Sequence, residues 1–330
     1  MSRIAILGAG AWGTALAISL ARRGGHEISL WSHTATLADQ IRDTGSNEQF
    51  LPGCVVPMDV SVTSDIARAI FEADIVLCVT PSEYLRSIFG NIAPVLDRDQ
   101  IIVSATKGLE EGTLLRMSQV LASMTSNSIA VLSGPSFAAE VALGVPTAIV
   151  AASAAPGVAQ TIQKEFSSGS LRLYTNDDIA GVELGGALKN VIALAAGVVN
   201  GLELGHNSAA ALITRGIAEI TRLAVACGGR RQTLAGLSGV GDLVLTCTGS
   251  LSRNRTVGTE LGKGRALPEI LREMNGKVAE GIRSTSVALG LASRYAVEMP
   301  ITEQMHAILH ERKSPNEAIR ELMARPGRDE

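Results

Sequence analysis

The sequence predicts an α/β fold in which a mostly parallel sheet wrapped by helices is followed by an all-helical second domain. Three observations predict it. Short β-rich runs alternate with helical stretches through the first half of the chain. The first of these runs ends in a glycine cluster that opens a helix. From Gly181 onward the alternation stops and long helical segments dominate. Together they divide the 330 residues into 1–180 and 181–330, each long enough to bury its own core.

Arg3-Ile-Ala-Ile-Leu7 is a β-rich run, Gly8-Ala-Gly10-Ala11-Trp12-Gly13 follows, and Thr14 to Arg23 has helical composition. Strand, G-x-G-x-x-G and helix in that order form the context that gives the glycines meaning. They allow a tight turn and close approach of a pyrophosphate, which the helix N-terminus stabilises with free N–H groups and its dipole. The bland reading is a structural glycine turn. The pattern marks residues 1–180 as a Rossmann-type, dinucleotide-binding domain. Glu27 to Trp31 is the second strand, and an NAD-selective site would follow it with an Asp or Glu for the ribose 2′-OH. Ser32 and His33 stand there instead. With no carboxylate to repel a 2′-phosphate, NADPH/NADP is the expected cofactor, and NADH/NAD is also compatible. His33 reads equally as a plain loop residue.

The rhythm continues with strands at Asp74–Thr80, Gln100–Ser104, Ser128–Leu132, Thr147–Ala151 and Leu171–Tyr174. Pro81 stops the first of these, and Ser82 is expected to cap the next helix. Ligands of such sheets sit beyond the carboxyl ends of the strands. Lys107 directly follows one strand there; a surface lysine before a glycine turn is the plainer reading. Gly134 and Ser136 follow another and offer N–H and hydroxyl donors, or are a simple Gly-Pro turn. Gly134-Pro-Ser136-Phe-Ala138 also approximates the nucleophile elbow of serine hydrolases. Ala138 replaces its last glycine, and His206, His306 and His310 have no obvious acidic partner.

In the second half, Gly181 to Val199 reads as one helix apolar on nearly all sides, hence buried, with Lys189 and Asn190 in its middle. A buried ammonium either loses its proton more easily or finds acidic and carbonyl partners. Gly185 and Gly186, one turn earlier, leave room for a backbone or a ligand. Lys189 is thus a candidate general acid and base, or a lysine snorkelling out of a core helix. Ser208 to Cys227 is amphipathic, with Ser208 as its expected cap and Gly228-Gly229 as its end. Asp242 either caps a helix or faces Lys189 or a substrate hydroxyl. Ser252 reads as an N-cap with Arg253 and Asn254 in the first turn, a small phosphate site or an ordinary charged helix start. Spacing leaves open whether Arg253 or Arg255 points inward. Glu280, after a turn at Asn275-Gly276, reaches the cofactor or is solvated. His306 and His310 lie one helical turn apart without the glutamate of H-E-x-x-H, so no metal is expected.

Composition narrows the class. Net charge is −3 with no Lys/Arg block, which argues against nucleic acid or an anionic membrane surface as a partner. Cys54, Cys78, Cys227 and Cys247 form no C-x-x-C pair and read as reduced thiols. There is no run of 18 uninterrupted apolar residues and no signal-peptide pattern, so no membrane span is expected and the cytoplasm is the expected compartment.

Taken in order, these stretches resemble the bacterial NAD(P)-dependent glycerol-3-phosphate dehydrogenases. The likeness runs from Gly8–Ala17 through Ala105–Gly108, Gly134–Ala138, Gly181–Asn190, Ala211–Arg215, Gly239–Thr248, Ser252–Asn254 and Val278–Gly281, covering almost the whole chain. Gly249, Thr256 and His206 depart from the family's usual residues, and none of them replaces a residue that carries chemistry. The resemblance implies reversible reduction of dihydroxyacetone phosphate to sn-glycerol 3-phosphate, supplying glycerophospholipid synthesis. It implies Lys189 as proton donor and acceptor. It implies substrate contacts from Lys107, Gly134, Ser136, Asp242, Ser252, Arg253 and Asn254. Ala11, Trp12, His33, Lys107, Ala138, Arg253, Val278 and Glu280 would line the NAD(P) site beside Gly8, Gly10 and Gly13. A phosphorylated triose is then the small-molecule partner, and a homodimer is suggested by likeness alone. Competing readings are an NADP-dependent dehydrogenase of another small hydroxy acid and a non-catalytic dinucleotide sensor. The first would not need the Ser252-Arg253-Asn254 site, and the second has no reason for a buried lysine.

Overall fold

A computed structural model describes residues 1–274 and 279–327. The chain divides into two compact units, one of residues 1–110 and 115–183, the other of residues 111–114 and 184–330.

The first unit runs β1 (Ser2–Leu7), α1 (Ala11–Arg23), β2 (His26–Trp31), α2 (Ala35–Thr44), β3 (Ser46–Asn47), β4 (Leu51–Val55), β5 (Val60–Thr63) and α3 (Ile66–Ile70). It continues with β6 (Ile75–Cys78), α4 (Ser82–Ile92), β7 (Ile101–Ser104), α5 (Met117–Ala122), β8 (Ile129–Ser133), α6 (Ala138–Leu143), β9 (Thr147–Ala152), α7 (Val158–Phe166) and β10 (Leu171–Asn176). Eight strands form one sheet in the order β10-β9-β8-β7-β6-β1-β2-β5. All neighbours pair in parallel except β8 and β9. The reversal at β9 has a geometric cause. The six-residue α6 spans about 9 Å, whereas returning along β8 needs about 16 Å. The side chains of β1 alternate between the two faces, Ile4 and Ile6 entering one buried cluster and Ala5 and Leu7 the other.

β5 and the β3–β4 pair lie where the sequence pattern carries no strand expectation. The expected cap at Ser82 is displaced: Pro81 occupies the N-cap and Ser82 is the first helical residue. Proline fixes the extended entry to the helix without a side-chain bond.

α8 (Ile179–Gly201) opens in the first unit and continues in the second, followed by α9 (Gly205–Ala226), α10 (Arg231–Leu234), α11 (Asp242–Thr248), α12 (Arg253–Gly262), α13 (Leu267–Glu273), α14 (Glu280–Arg294), α15 (Pro300–His310) and α16 (Pro315–Met323). α8 is apolar and long enough to cross a membrane, but its apolar stretch is entirely buried inside the protein, which makes it a core helix. Its C-terminal half packs backbone to backbone on α12: a Cβ at Gly258 would lie 2.0 Å from Leu194 O, and one at Gly197 would lie 2.1 Å from Arg255 O. α9 begins three residues before the expected Ser208, whose hydroxyl instead donates to Leu204 O. The buried Glu219 of α9 accepts from Ile301 N, Thr302 N and Thr302 Oγ1, at 2.9, 2.9 and 2.6 Å, and so caps α15 from outside.

Candidate active site

In the first unit the candidate residues follow the carboxyl ends of the strands. Gly8, at φ +127°, takes a backbone shape that L side chains avoid, and a Cβ on Gly13 would fall 1.9 Å from Gly8 O. The turn therefore closes only with glycines, and it brings the first turn of α1 directly onto the end of β1. Gly10 is the N-cap and faces open space, with nothing within 4 Å of where its Cβ would be. Ala11, Trp12 and Gly13 are the first three helical residues, whose N–H groups have no intrahelical acceptor. Open space above free donors at a helix start fits a pyrophosphate. At the end of β2, the exposed His33 stands edge-on to Trp31, ring centroids 6.0 Å apart, and Ser32 Oγ donates to Thr34 O at 3.0 Å. Neither residue brings negative charge.

Lys107 follows β7, and its Nζ donates to Gly134 O at 3.1 Å. Ser136 Oγ donates to that same carbonyl at 3.0 Å, so its proton goes to backbone rather than to an imidazole, which argues against the hydrolase reading. Lys107, Gly134 and Ser136 thus form one cluster, with the half-buried Ala138 at the start of α6 beside it in sequence.

In the second unit the centre is Lys189. Its side chain is 9% exposed, and Asp242, fully buried, forms an ion pair with it. Nζ also donates to Thr246 Oγ1 at 2.8 Å, and that hydroxyl in turn donates to the backbone Asp242 O at 2.6 Å. The acidic partner that a buried ammonium demands is therefore present, and the snorkelling reading is set aside. The local sequence explains the approach. A Cβ at Gly185 would sit 2.3 Å from Ser238 O. Leu237–Gly241 forms a single π-helical turn immediately before α11. Such turns re-aim the helix that follows, and Asp242 is its first residue. Sequence reasoning missed Thr246, although its i+4 spacing from Asp242 puts it on the same helix face.

Ser252 caps α12 as expected, its Oγ accepting from Arg255 N at 3.2 Å. Arg255 reaches Asn200 Oδ1 at 3.2 Å, and Arg253 is exposed at the helix start. The buried Asn254 accepts from Gly281 N at 2.9 Å through Oδ1. Glu280 opens α14, and Asn190 Nδ2 donates to it at 3.3 Å, a second contact that spacing did not reveal. Val278 lies outside the described residues, as does the turn at Asn275-Gly276.

Residues 3–159 match the family model for the NAD-dependent glycerol-3-phosphate dehydrogenase N-terminus, and residues 178–320 match the model for its C-terminus. The chain belongs to the NAD-dependent glycerol-3-phosphate dehydrogenase family. Among its relatives, the glycerol-3-phosphate dehydrogenase [NAD(P)+] of Acidobacterium capsulatum is 60% identical over 338 residues, covering 100% of both chains. That of Koribacter versatilis is 58% identical over 334 residues, covering 100% of this chain and 99% of the relative. The crystal structure of glycerol-3-phosphate dehydrogenase from Coxiella burnetii superposes with a TM-score of 0.94 at 41% identity, over 98% of this chain and 99% of that one. Membership of this dehydrogenase family agrees with the glycine turn and the helical second unit.

Proposed function

We propose that this chain catalyses the reversible NAD(P)H-dependent reduction of dihydroxyacetone phosphate to sn-glycerol 3-phosphate, with Lys189 as the proton donor and acceptor. The observation that carries the reading is Lys189 itself: a buried lysine, its side chain 9% exposed, in the middle of an apolar helix and held by a carboxylate and a hydroxyl. Family membership supports the reaction and the cofactor class.

Gly8, Gly10, Ala11, Trp12 and Gly13 would hold the dinucleotide, with His33 near its ribose and Glu280 and Ala138 as further contacts. A nicotinamide held there would supply the hydride that the carbonyl carbon needs. Negative charge then builds on the substrate oxygen, and Lys189 Nζ delivers a proton to it. In the reverse direction the same amine accepts that proton. Asp242 and Thr246 hold Nζ in one position, so the proton is offered along a fixed line rather than by a mobile side chain. Lys107, steadied on Gly134 O, and Ser136 offer polar contacts to the substrate. Ser252, Arg253 and Nδ2 of Asn254 hold the phosphate, whose binding energy positions the reacting carbon. A dehydrogenase of an unphosphorylated hydroxy acid would have no use for that last group. Ser32 and His33, bearing no negative charge, favour acceptance of NADPH. The product would feed glycerophospholipid synthesis. Burial pushes the Cys78 and Cys247 thiols up to about 12, so they remain protonated and unreactive at neutral pH.

The test follows NADPH absorbance with dihydroxyacetone phosphate and then with unphosphorylated ketones. Rapid oxidation with the phosphorylated ketone alone supports the assignment, and equal rates with both classes refute it.

A further inference from the structure

The glycine turn that opens α1 has a clamp supplied from outside the strand-turn-helix unit. Asn47, fully buried at 0% exposure, lies on the short strand β3. Its Nδ2 donates to Ala9 O at 2.9 Å, inside the turn, and to Thr14 Oγ1 at 2.8 Å, in the first turn of α1. Its Oδ1 accepts from Phe50 N at 3.2 Å. Both amide protons and one lone pair are thus committed, which fixes the side chain without freedom to flip. Its own support is firm: β3 pairs with β4, and Val56 N donates to Gly45 O at 2.8 Å behind it.

The consequence lies in the peptide plane between Ala9 and Gly10. A trans peptide is planar, and its carbonyl and N–H point in opposite directions. Anchoring Ala9 O on Asn47 therefore turns the Gly10 N–H to the opposite side. Gly10 has no side chain to cap α1, and open space lies beside its Cα. Without Asn47 this glycine-flanked peptide would be free to rotate, and a ligand would have to order it on binding.

We propose that Asn47 is a positioning residue for the cofactor pyrophosphate: it presets the Gly10 N–H, and through Thr14 the start of α1, in the orientation that receives the diphosphate. This rests on the reading of the glycine turn as a dinucleotide site. Asn47 does not touch the cofactor in this account, and its effect is confined to ligands that carry a diphosphate.

The test compares NADPH, ADP-ribose and adenosine 2′-phosphate as ligands of the full-length wild-type, Asn47→Ala and Thr14→Val proteins, by fluorescence and calorimetry. For Asn47→Ala, the Kd values of NADPH and ADP-ribose rise about tenfold or more. Adenosine 2′-phosphate, which lacks the diphosphate, binds as before. The KM for NADPH follows the Kd, and kcat moves by less than about threefold. Thr14→Val, which keeps the bond to Ala9 O and the side-chain shape, loses less. Unchanged NADPH binding in Asn47→Ala, or an equal loss for all three ligands, would overturn the inference. Failure of the wild-type protein to bind NADPH would overturn the dinucleotide reading itself, and this inference with it.

Discussion

Lys189 and Asp242 form an ion pair sealed inside the second unit, with side chains 9% and 0% exposed. Taking two charges out of water is expensive, and each charge then depends on the other. Asp242→Ala should lower stability by about 3–5 kcal/mol, because it leaves an uncompensated buried ammonium. Adding Lys189→Met should restore part of that loss while activity stays absent. Urea unfolding of the single and double variants checks this, and a double variant no more stable than Asp242→Ala would show that the pair is not the reason for the loss.

Arg253 is the exposed cation at the start of α12, beside the capping Ser252. If it holds the substrate phosphate, Arg253→Ala weakens kcat/KM for dihydroxyacetone phosphate about tenfold to hundredfold. Slow reduction of an unphosphorylated ketone is hardly affected. Equal losses for the two substrates would remove Arg253 from phosphate recognition.

Gly258 meets Leu194 O across the α8–α12 crossing, where an added Cβ would lie 2.0 Å from that oxygen. On an open helix, Gly→Ala gains up to about 1 kcal/mol. Here the overlap is with backbone, which cannot rotate away, so Gly258→Ala should cost about 1–3 kcal/mol or more. A melting temperature at or above wild type would mean that the two helices separate easily.

Glu219 is buried, and burial pushes its carboxyl above the ordinary 4.5, partly offset by hydrogen bonds from Thr302 and Ile301. The folded chain therefore holds this proton more tightly than the unfolded chain does. The resulting stabilisation is complete below the unfolded value and is lost as pH rises through the raised folded value. Against Glu219→Gln, which does not titrate, the wild-type stability advantage should shrink as pH rises above the ordinary value of 4.5. Denaturant unfolding across that range measures it, and an advantage that grows with pH would reverse the assigned sign.

Much of this was legible because local chemistry and global fold agree. The strand ending in Gly8, the buried helix around Lys189 and the cap at Ser252 each follow from residue type and spacing, and the structure contains all three. The reversal of β9 was not legible, since it depends on how far a six-residue helix can carry the chain. The β3–β4 pair is too short to carry a sequence pattern, and the hydrogen bond from Asn47 joins a side chain to Ala9 across 38 residues. Residue type predicts caps at Ser82 and Ser208, but Pro81 and the earlier start of α9 take precedence. Asp242 had two readings that periodicity could not separate, and only the packing of Gly185 on Ser238 O brings α11 against α8.

The most direct measurement is turnover of Lys189→Ala with dihydroxyacetone phosphate, alongside its NADPH affinity. The account predicts NADPH binding close to wild type and a fall in kcat of about 10²–10⁴-fold, the size of a lost general acid. Turnover within a few-fold of wild type in a variant that still binds NADPH would contradict it.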